Sequence, residues 1–176
     1  MAPALPGTAR VLALAVALAA GGAFAQQRYD HRGSLGATVG GGAEILATGA
    51  VRGLSDNGVR LPLEVAGTIS VTDRTEARVA ARLALFGPQV AWSAYAGIRS
   101  SFGYEQLKTF FDLDFAAHLS PVWTLGARVA VGVQYDFLPV MGVFSTLGGQ
   151  LGGGAGLRLS FELMVGLQFR TYLLEE

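Results

Sequence analysis

Residues 157–169 read LRLSFELMVGLQF, and every odd-numbered position in this segment is apolar. The even-numbered positions between them are mainly polar or small, among them Arg158, Glu162 and Gln168. A period of two places these two sets on opposite faces of a β-strand. Thirteen residues is long for a strand of a globular protein, but it suits a tilted strand that crosses a membrane.

The same alternation recurs along the chain and predicts an antiparallel up-and-down sheet of eight strands. The predicted strands are residues 33–46, 59–71, 76–86, 90–102, 105–119, 123–135, 140–151 and 157–169. Short turns connect them, including one at residues 136–139. The seventh segment is rich in glycine, so the pattern does not distinguish its two faces. Beyond residue 25 no apolar run approaches the roughly 18 residues of a spanning helix, so a membrane protein with this sequence must be a closed barrel.

The N-terminus has the features of a secretory signal peptide. An apolar run at residues 11–20 is followed by the small-residue motif around Ala23 and Ala25 and then by polar Gln26. The run is too short for a spanning helix. We therefore expect cleavage after Ala25. The predicted division of the chain is a signal peptide at residues 1–25 and one outer-membrane barrel domain at residues 26–176.

The composition of the mature chain limits its partners and its chemistry. About 150 residues is the length of one domain. Twelve basic residues against thirteen acidic ones give a net charge near −1, which argues against a nucleic-acid partner. There is no cysteine, so disulfides do not stabilise the fold. With two histidines and no metal-ligand spacing, we expect neither a metal nor another cofactor.

Alternation alone leaves two barrels possible, because a soluble lipocalin-like barrel alternates with its apolar side chains inside. The apolar faces here carry more side-chain volume than a small eight-stranded barrel can enclose, and the opposite faces are rich in small residues. Aromatic residues also lie mostly near strand ends, as in the interfacial girdles of membrane barrels. These aromatic residues are Trp92, Phe102, Trp123, Tyr135, Phe161 and Phe169. The sequence therefore favours apolar side chains outside.

The signal peptide, the eight alternating strands, the short turns and the aromatic-rich last strand resemble the small outer-membrane β-barrels of the OmpA/OmpX type. The resemblance implies a bacterial outer-membrane protein, a monomer in contact with outer-membrane lipid and placed there by the barrel-insertion machinery. That machinery reads a terminal aromatic residue, for which Phe169 or Tyr172 can serve although residues 173–176 follow. With the N-terminus in the periplasm, residues 47–58 form the longest extracellular loop, and its tip at 52–57 is the expected contact surface.

If the polar faces point inward, the lumen contains acidic and basic side chains in similar number. The predicted lumen charges are Glu44, Glu64, Glu76, Arg78, Arg82, Arg99, Lys108, Asp112, Asp114, Arg128, Arg158 and Glu162, with Arg60 and Arg170 on the same faces. Buried charges must be paired, which predicts a mutually neutralising network. A narrow polar pore is the alternative, but eight strands leave an interior only just wide enough for side chains.

Two further motifs suggest chemistry only weakly. His118-Leu119-Ser120 is similar to the His-x-Ser arrangement of outer-membrane lipid A deacylases, in which histidine activates the serine. Where that family has its orienting acid, this chain has residues 131–133, VGV. The glycine-rich residues 148–154 lack the Lys-Ser/Thr ending of a phosphate-binding loop, so they predict a flexible connection or a close-packed backbone in the lumen.

The sequence therefore predicts a non-enzymatic outer-membrane barrel, with a structural, envelope-maintaining or surface-interaction role and no catalytic residues. Three alternatives remain open: a lipid A-modifying enzyme using His118 and Ser120, a soluble ligand-binding barrel, and a minimal channel.

Overall fold

The computed structural model describes residues 34–46, 58–86, 89–104, 106–154 and 156–172. The predicted signal peptide with Ala23, Ala25 and Gln26, the tip of the predicted first loop, and residues 173–176 lie outside these ranges.

Eight strands, each antiparallel to the next, form a closed barrel in which the last strand pairs with the first. They are β1 (Ser34–Leu46), β2 (Val59–Ser70), β3 (Thr75–Phe86), β4 (Gln89–Tyr104), β5 (Leu107–Ser120), β6 (Thr124–Leu138), β7 (Met141–Gly154) and β8 (Arg158–Tyr172). The predicted architecture is confirmed. No helix among the described residues is long and apolar enough to cross a membrane. We call the end with the β2–β3, β4–β5 and β6–β7 connections the turn end, and the opposite end the loop end.

The predicted placement of apolar side chains on the outside is also confirmed. Outward-facing Val65 and Leu147 are 61% and 60% exposed, whereas inward-facing Arg82 and Asp112 are at most 1% exposed. The barrel thus has an apolar exterior and a charged interior, which is the reverse of a lipocalin. This arrangement suits a membrane, because lipid solvates the exterior while the closed ladder satisfies every strand's backbone.

The structure assigns the faces of β7 that the sequence left open. Leu147 and Leu151 point outward, while Gly148 and Gly152 point into the lumen. Residues 148–154 belong to β7. The prediction of a flexible connection is therefore wrong, and the prediction of a close-packed backbone in the lumen is confirmed. Gly126 of β6 pairs with Gly152 of β7, and a Cβ built on Gly126 would lie only 2.2 Å from the carbonyl oxygen of Leu151.

The predicted turn at residues 136–139 is wrong over its first three residues. β6 continues to Leu138, and Asp136 pairs in register with Gly142 of β7. The extension has a physical cause in the lumen, where the Asp136 carboxylate accepts hydrogen bonds from Lys108 and Gln134.

Candidate functional site

Inward positions of β2 to β6 and β8 bring four arginines and four carboxylates together at mid-barrel. This central cluster consists of Arg78, Arg82, Arg99, Arg128, Glu64, Asp112, Asp114 and Glu162. All eight side chains are buried. Their formal charges cancel, and each guanidinium contacts at least one carboxylate, which is the condition under which buried charge is tolerated.

Arg82 of β3 lies at the centre of the cluster. Its Nε and Nη2 donate to Glu64 Oε2 on β2, at 3.0 and 2.5 Å. Its Nη1 donates to Glu162 Oε2 on β8, and its Nη2 lies 3.2 Å from Glu162 Oε1. Because β3 and β8 are separated by two intervening strands, this one guanidinium bridges the lumen.

The two aspartates of β5 each serve ion pairing. Asp114 Oδ2 accepts from Arg78 Nη1 and Arg128 Nη1, both at 2.7 Å. Asp112 accepts a bidentate pair from Arg99 Nε and Nη2 at 2.7 and 2.9 Å, a geometry that makes charge-assisted hydrogen bonds strong. Every carboxylate here is therefore committed to guanidinium groups. In the described part of the chain, no three acidic or histidine side chains are grouped to hold a metal ion.

A glycine on β4 lies between Arg78 of β3 and Asp114 of β5, which form an ion pair. Arg78, Gly97 and Asp114 are consecutive partners across β3, β4 and β5. A Cβ on Gly97 would lie 2.6 Å from Asp114 Oδ1. The missing side chain thus leaves the space in which an arginine and an aspartate two strands apart can meet.

Aromatic and amide side chains complete the lumen, and sequence reasoning did not single them out. The Arg99 guanidinium lies 4.0 Å from the centre of the Phe110 ring, and that of Arg82 lies 4.7 Å from the centre of the Tyr95 ring. Gln150 Nε2 donates to Glu162 Oε2 at 2.7 Å. Strand alternation could have identified these residues, because it places Tyr95, Phe110 and Gln150 on the inward face.

Tyr95 offers a small, specific test of this network. Its hydroxyl donates to Gln150 Oε1 at 3.3 Å inside the lumen. We expect Tyr95→Phe to lower the free energy of unfolding by about 1 kcal/mol, because Gln150 loses its buried donor. Tyr135→Phe is the control, since the Tyr135 hydroxyl bonds Gln106 on the exposed surface. Urea unfolding in micelles measures both, and equal effects would contradict the assignment.

Two ion pairs lie at the turn end. Lys108 Nζ donates to Asp136 Oδ2 at 2.6 Å. Arg170 Nη2 donates to Glu76 Oε1 at 2.6 Å, joining β8 to β3 across the lumen. Sequence reasoning missed Asp136 because it was placed in a turn.

The loop end holds the remaining predicted residues. Arg158 Nη2 donates to Glu44 Oε1 at 2.9 Å. A hydrogen bond of 2.7 Å joins His118 Nδ1 to the hydroxyl of Ser93 on β4, so the serine that contacts His118 is Ser93 and not the predicted Ser120. His118 is 1% exposed and faces the lumen. The pair is thereby separated from the outer wall of the barrel.

No protein-family model matches the chain, and no curated protein matches its sequence. Solved structures match its fold. The N-terminal β-barrel domain of Pseudomonas aeruginosa OprF is 13% identical with a TM-score of 0.61, and the match covers 80% of this chain and 98% of that one. Neisserial surface protein A is 14% identical with a TM-score of 0.54 over 78% of this chain and 99% of that one. A de novo designed transmembrane β-barrel is 12% identical with a TM-score of 0.59 over 84% of this chain and 100% of that one.

At these identities the likeness is one of fold. The chain has the fold of the small eight-stranded outer-membrane β-barrels.

Proposed function

We propose that this chain is a non-enzymatic, non-conducting barrel of the bacterial outer membrane, exported through a cleaved signal peptide, with a structural, envelope-maintaining role. The observation that carries the proposal is the central cluster. Neutral and buried, it occupies the lumen of a barrel whose interior has little room beyond its side chains.

The cluster closes the lumen in two ways. Arg82 bridges β3 to β8, and Arg78 reaches from β3 to β5, so the guanidinium groups lie across the path that an ion would take. Each is also held by carboxylates on more than one strand, and separating such a buried pair costs several kcal/mol. The Arg170–Glu76 pair adds a second bridge at the turn end.

The same geometry argues against the enzymatic alternative. A lipid A-modifying site must meet an acyl chain on the outer wall, whereas His118 and Ser93 hydrogen-bond to each other inside the lumen. With the N-terminus in the periplasm, the loop end faces outward, and residues 47–58 are its longest connection. Any surface interaction of the protein is therefore expected there.

Conductance is the test of this proposal. The refolded barrel, reconstituted in planar lipid bilayers, is expected to give the current of a protein-free bilayer, while a porin prepared in the same way gives stepwise openings. Membrane insertion is checked separately by faster gel migration of the unboiled protein. Stable openings from inserted protein would establish the minimal channel instead. Lipid A deacylation by the wild-type protein that is lost in His118→Ala would establish the enzyme.

A further inference from the structure

The outer wall carries an apolar groove of about 520 Å³. Its floor is Gly132 and the adjoining Phe110, and its sides are outward-facing residues of β4 to β8. The remaining lining residues are Phe102, Thr109, Phe111, Val131, Val133, Ser145, Leu147 and Leu163.

The register explains why a groove forms there. Thr109, Val133 and Ser145 are consecutive partners across β5, β6 and β7, so three short side chains form one row along the hydrogen-bond direction. The neighbouring row toward the loop end is taller, with Phe111, Val131, Leu147 and Leu163 in register. A short row beside a taller one leaves a channel along the short row.

The groove extends over half the height of the wall. It begins near the turn end, where Phe102 lies close to the end of β4 and Thr109 close to the start of β5. It ends at Leu147 and Leu163, which lie near the middle of β7 and β8. In a membrane-spanning barrel this is the distance from one interface to the bilayer midplane, which is the depth of one leaflet.

We propose that this groove binds one acyl chain of a phospholipid in the leaflet at the turn end. The proposal rests on the membrane location of the proposed function. A chain lying in the groove contacts wall atoms on its floor and sides, so it gains more dispersion contacts than on a smooth barrel surface. A second barrel would present another convex wall, whereas a flexible acyl chain can follow the channel along its length. Tyr135 lies two residues beyond Val133 of the groove, toward the turn end, and its hydroxyl donates to Gln106 Oε1 at 3.4 Å on the exposed surface, where these groups can meet a headgroup.

Ser145→Phe is the variant that tests this site, because a ring on the short row fills the channel. Ala127→Phe is the matched control: Ala127 also faces outward, on β6, and does not line the groove. Each variant adds one phenylalanine to the lipid-facing wall. Both positions are exposed, so we expect both variants to fold, which the migration of unboiled protein verifies.

The probe is palmitoyl-oleoyl phosphatidylethanolamine, added to the refolded barrel in detergent micelles. Phospholipid that remains with the barrel after gel filtration is counted by mass spectrometry. We expect the wild-type protein and Ala127→Phe to retain the phospholipid and Ser145→Phe to retain at least about tenfold less, equivalent to about 1.4 kcal/mol.

Three results would overturn the inference: equal retention by Ser145→Phe and the wild type, equal loss in Ala127→Phe, or a wild-type dimer that Ser145→Phe converts to monomer. The last would assign the groove to a second copy of the chain. A barrel that is soluble without detergent would refute the membrane location itself, which is a different failure from loss of lipid by a correctly folded barrel.

Discussion

Replacement of Arg82 by alanine is expected to lower the free energy of unfolding by about 3–5 kcal/mol. Arg82 donates hydrogen bonds to Glu64 and Glu162, and all three side chains are buried. The alanine variant leaves the two carboxylates sharing fewer guanidinium groups in an interior that water reaches poorly. Glu64 keeps Arg78 and Glu162 keeps Arg128, but the cluster is left with one uncompensated negative charge, whose burial is penalised by desolvation.

Urea unfolding in micelles, followed by gel migration and by fluorescence of the tryptophans, measures the effect. Arg74→Ala is the control, because Arg74 is an exposed arginine in the turn after β2, where its backbone rather than its side chain makes the hydrogen bonds. The control variant should stay within about 0.5 kcal/mol of the wild type. A similarly small change in Arg82→Ala would show that the central cluster contributes little to stability.

A double variant separates charge balance from packing. Arg82→Met combined with Glu162→Gln removes one charge of each sign and leaves Glu64 with Arg78 and Asp114 with Arg128. Its cost should be smaller than the sum of the two single substitutions by about 0.5–3 kcal/mol, the usual coupling between side chains in contact. Additive costs would contradict the assignment of Arg82 and Glu162 as partners.

The sequence predicts which face of a strand each charged residue occupies, but it does not predict which residue each one contacts. Which way Arg82 or Glu162 points is a local property, because alternation along one strand fixes it. Which residues meet is not local, since Arg82 and Glu162 are 80 positions apart and their contact depends on how the barrel closes. The sequence therefore predicted the lumen charges by strand and face, whereas their partners came from the register.

Two elements show where the local signal fails. Along β7 the inner face mixes Gly142, Gly148 and Gly152 with Phe144, Thr146 and Gln150, and the outer face also carries small residues at Ser145, Gly149 and Gly153. Neither face is therefore uniformly apolar or polar, and the alternation is lost from the sequence. The His118 motif failed for a different reason. Proximity in sequence suggested Ser120, but cross-strand pairing places Ser93 opposite His118 on the neighbouring strand.

Gly166→Ala is expected to lower the free energy of unfolding by about 3 kcal/mol, the upper part of the usual range for overpacking. A Cβ on Gly166 would lie 2.3 Å from the carbonyl oxygen of Val39 and 2.6 Å from the Cα of Gly40, both in the backbone of β1. The Phe144 ring blocks the remaining direction at 2.7 Å. Because two of the three obstacles are backbone atoms, relief requires β1 and β8 to separate where they close the barrel.

Gly153→Ala makes the same chemical change without that obstruction. Gly153 faces outward on β7, and nothing lies within 4 Å of a Cβ built there. Since alanine has less conformational freedom than glycine in the unfolded chain, this variant should equal the wild type or exceed it by up to about 1 kcal/mol. Both are measured by urea unfolding in the same micelles. If both variants lost stability equally, the intrinsic cost of alanine in a strand would account for the result, and close packing at the β1–β8 seam would not. A large difference in the expected direction would instead show that the barrel closes through backbone contact that tolerates no side chain at Gly166.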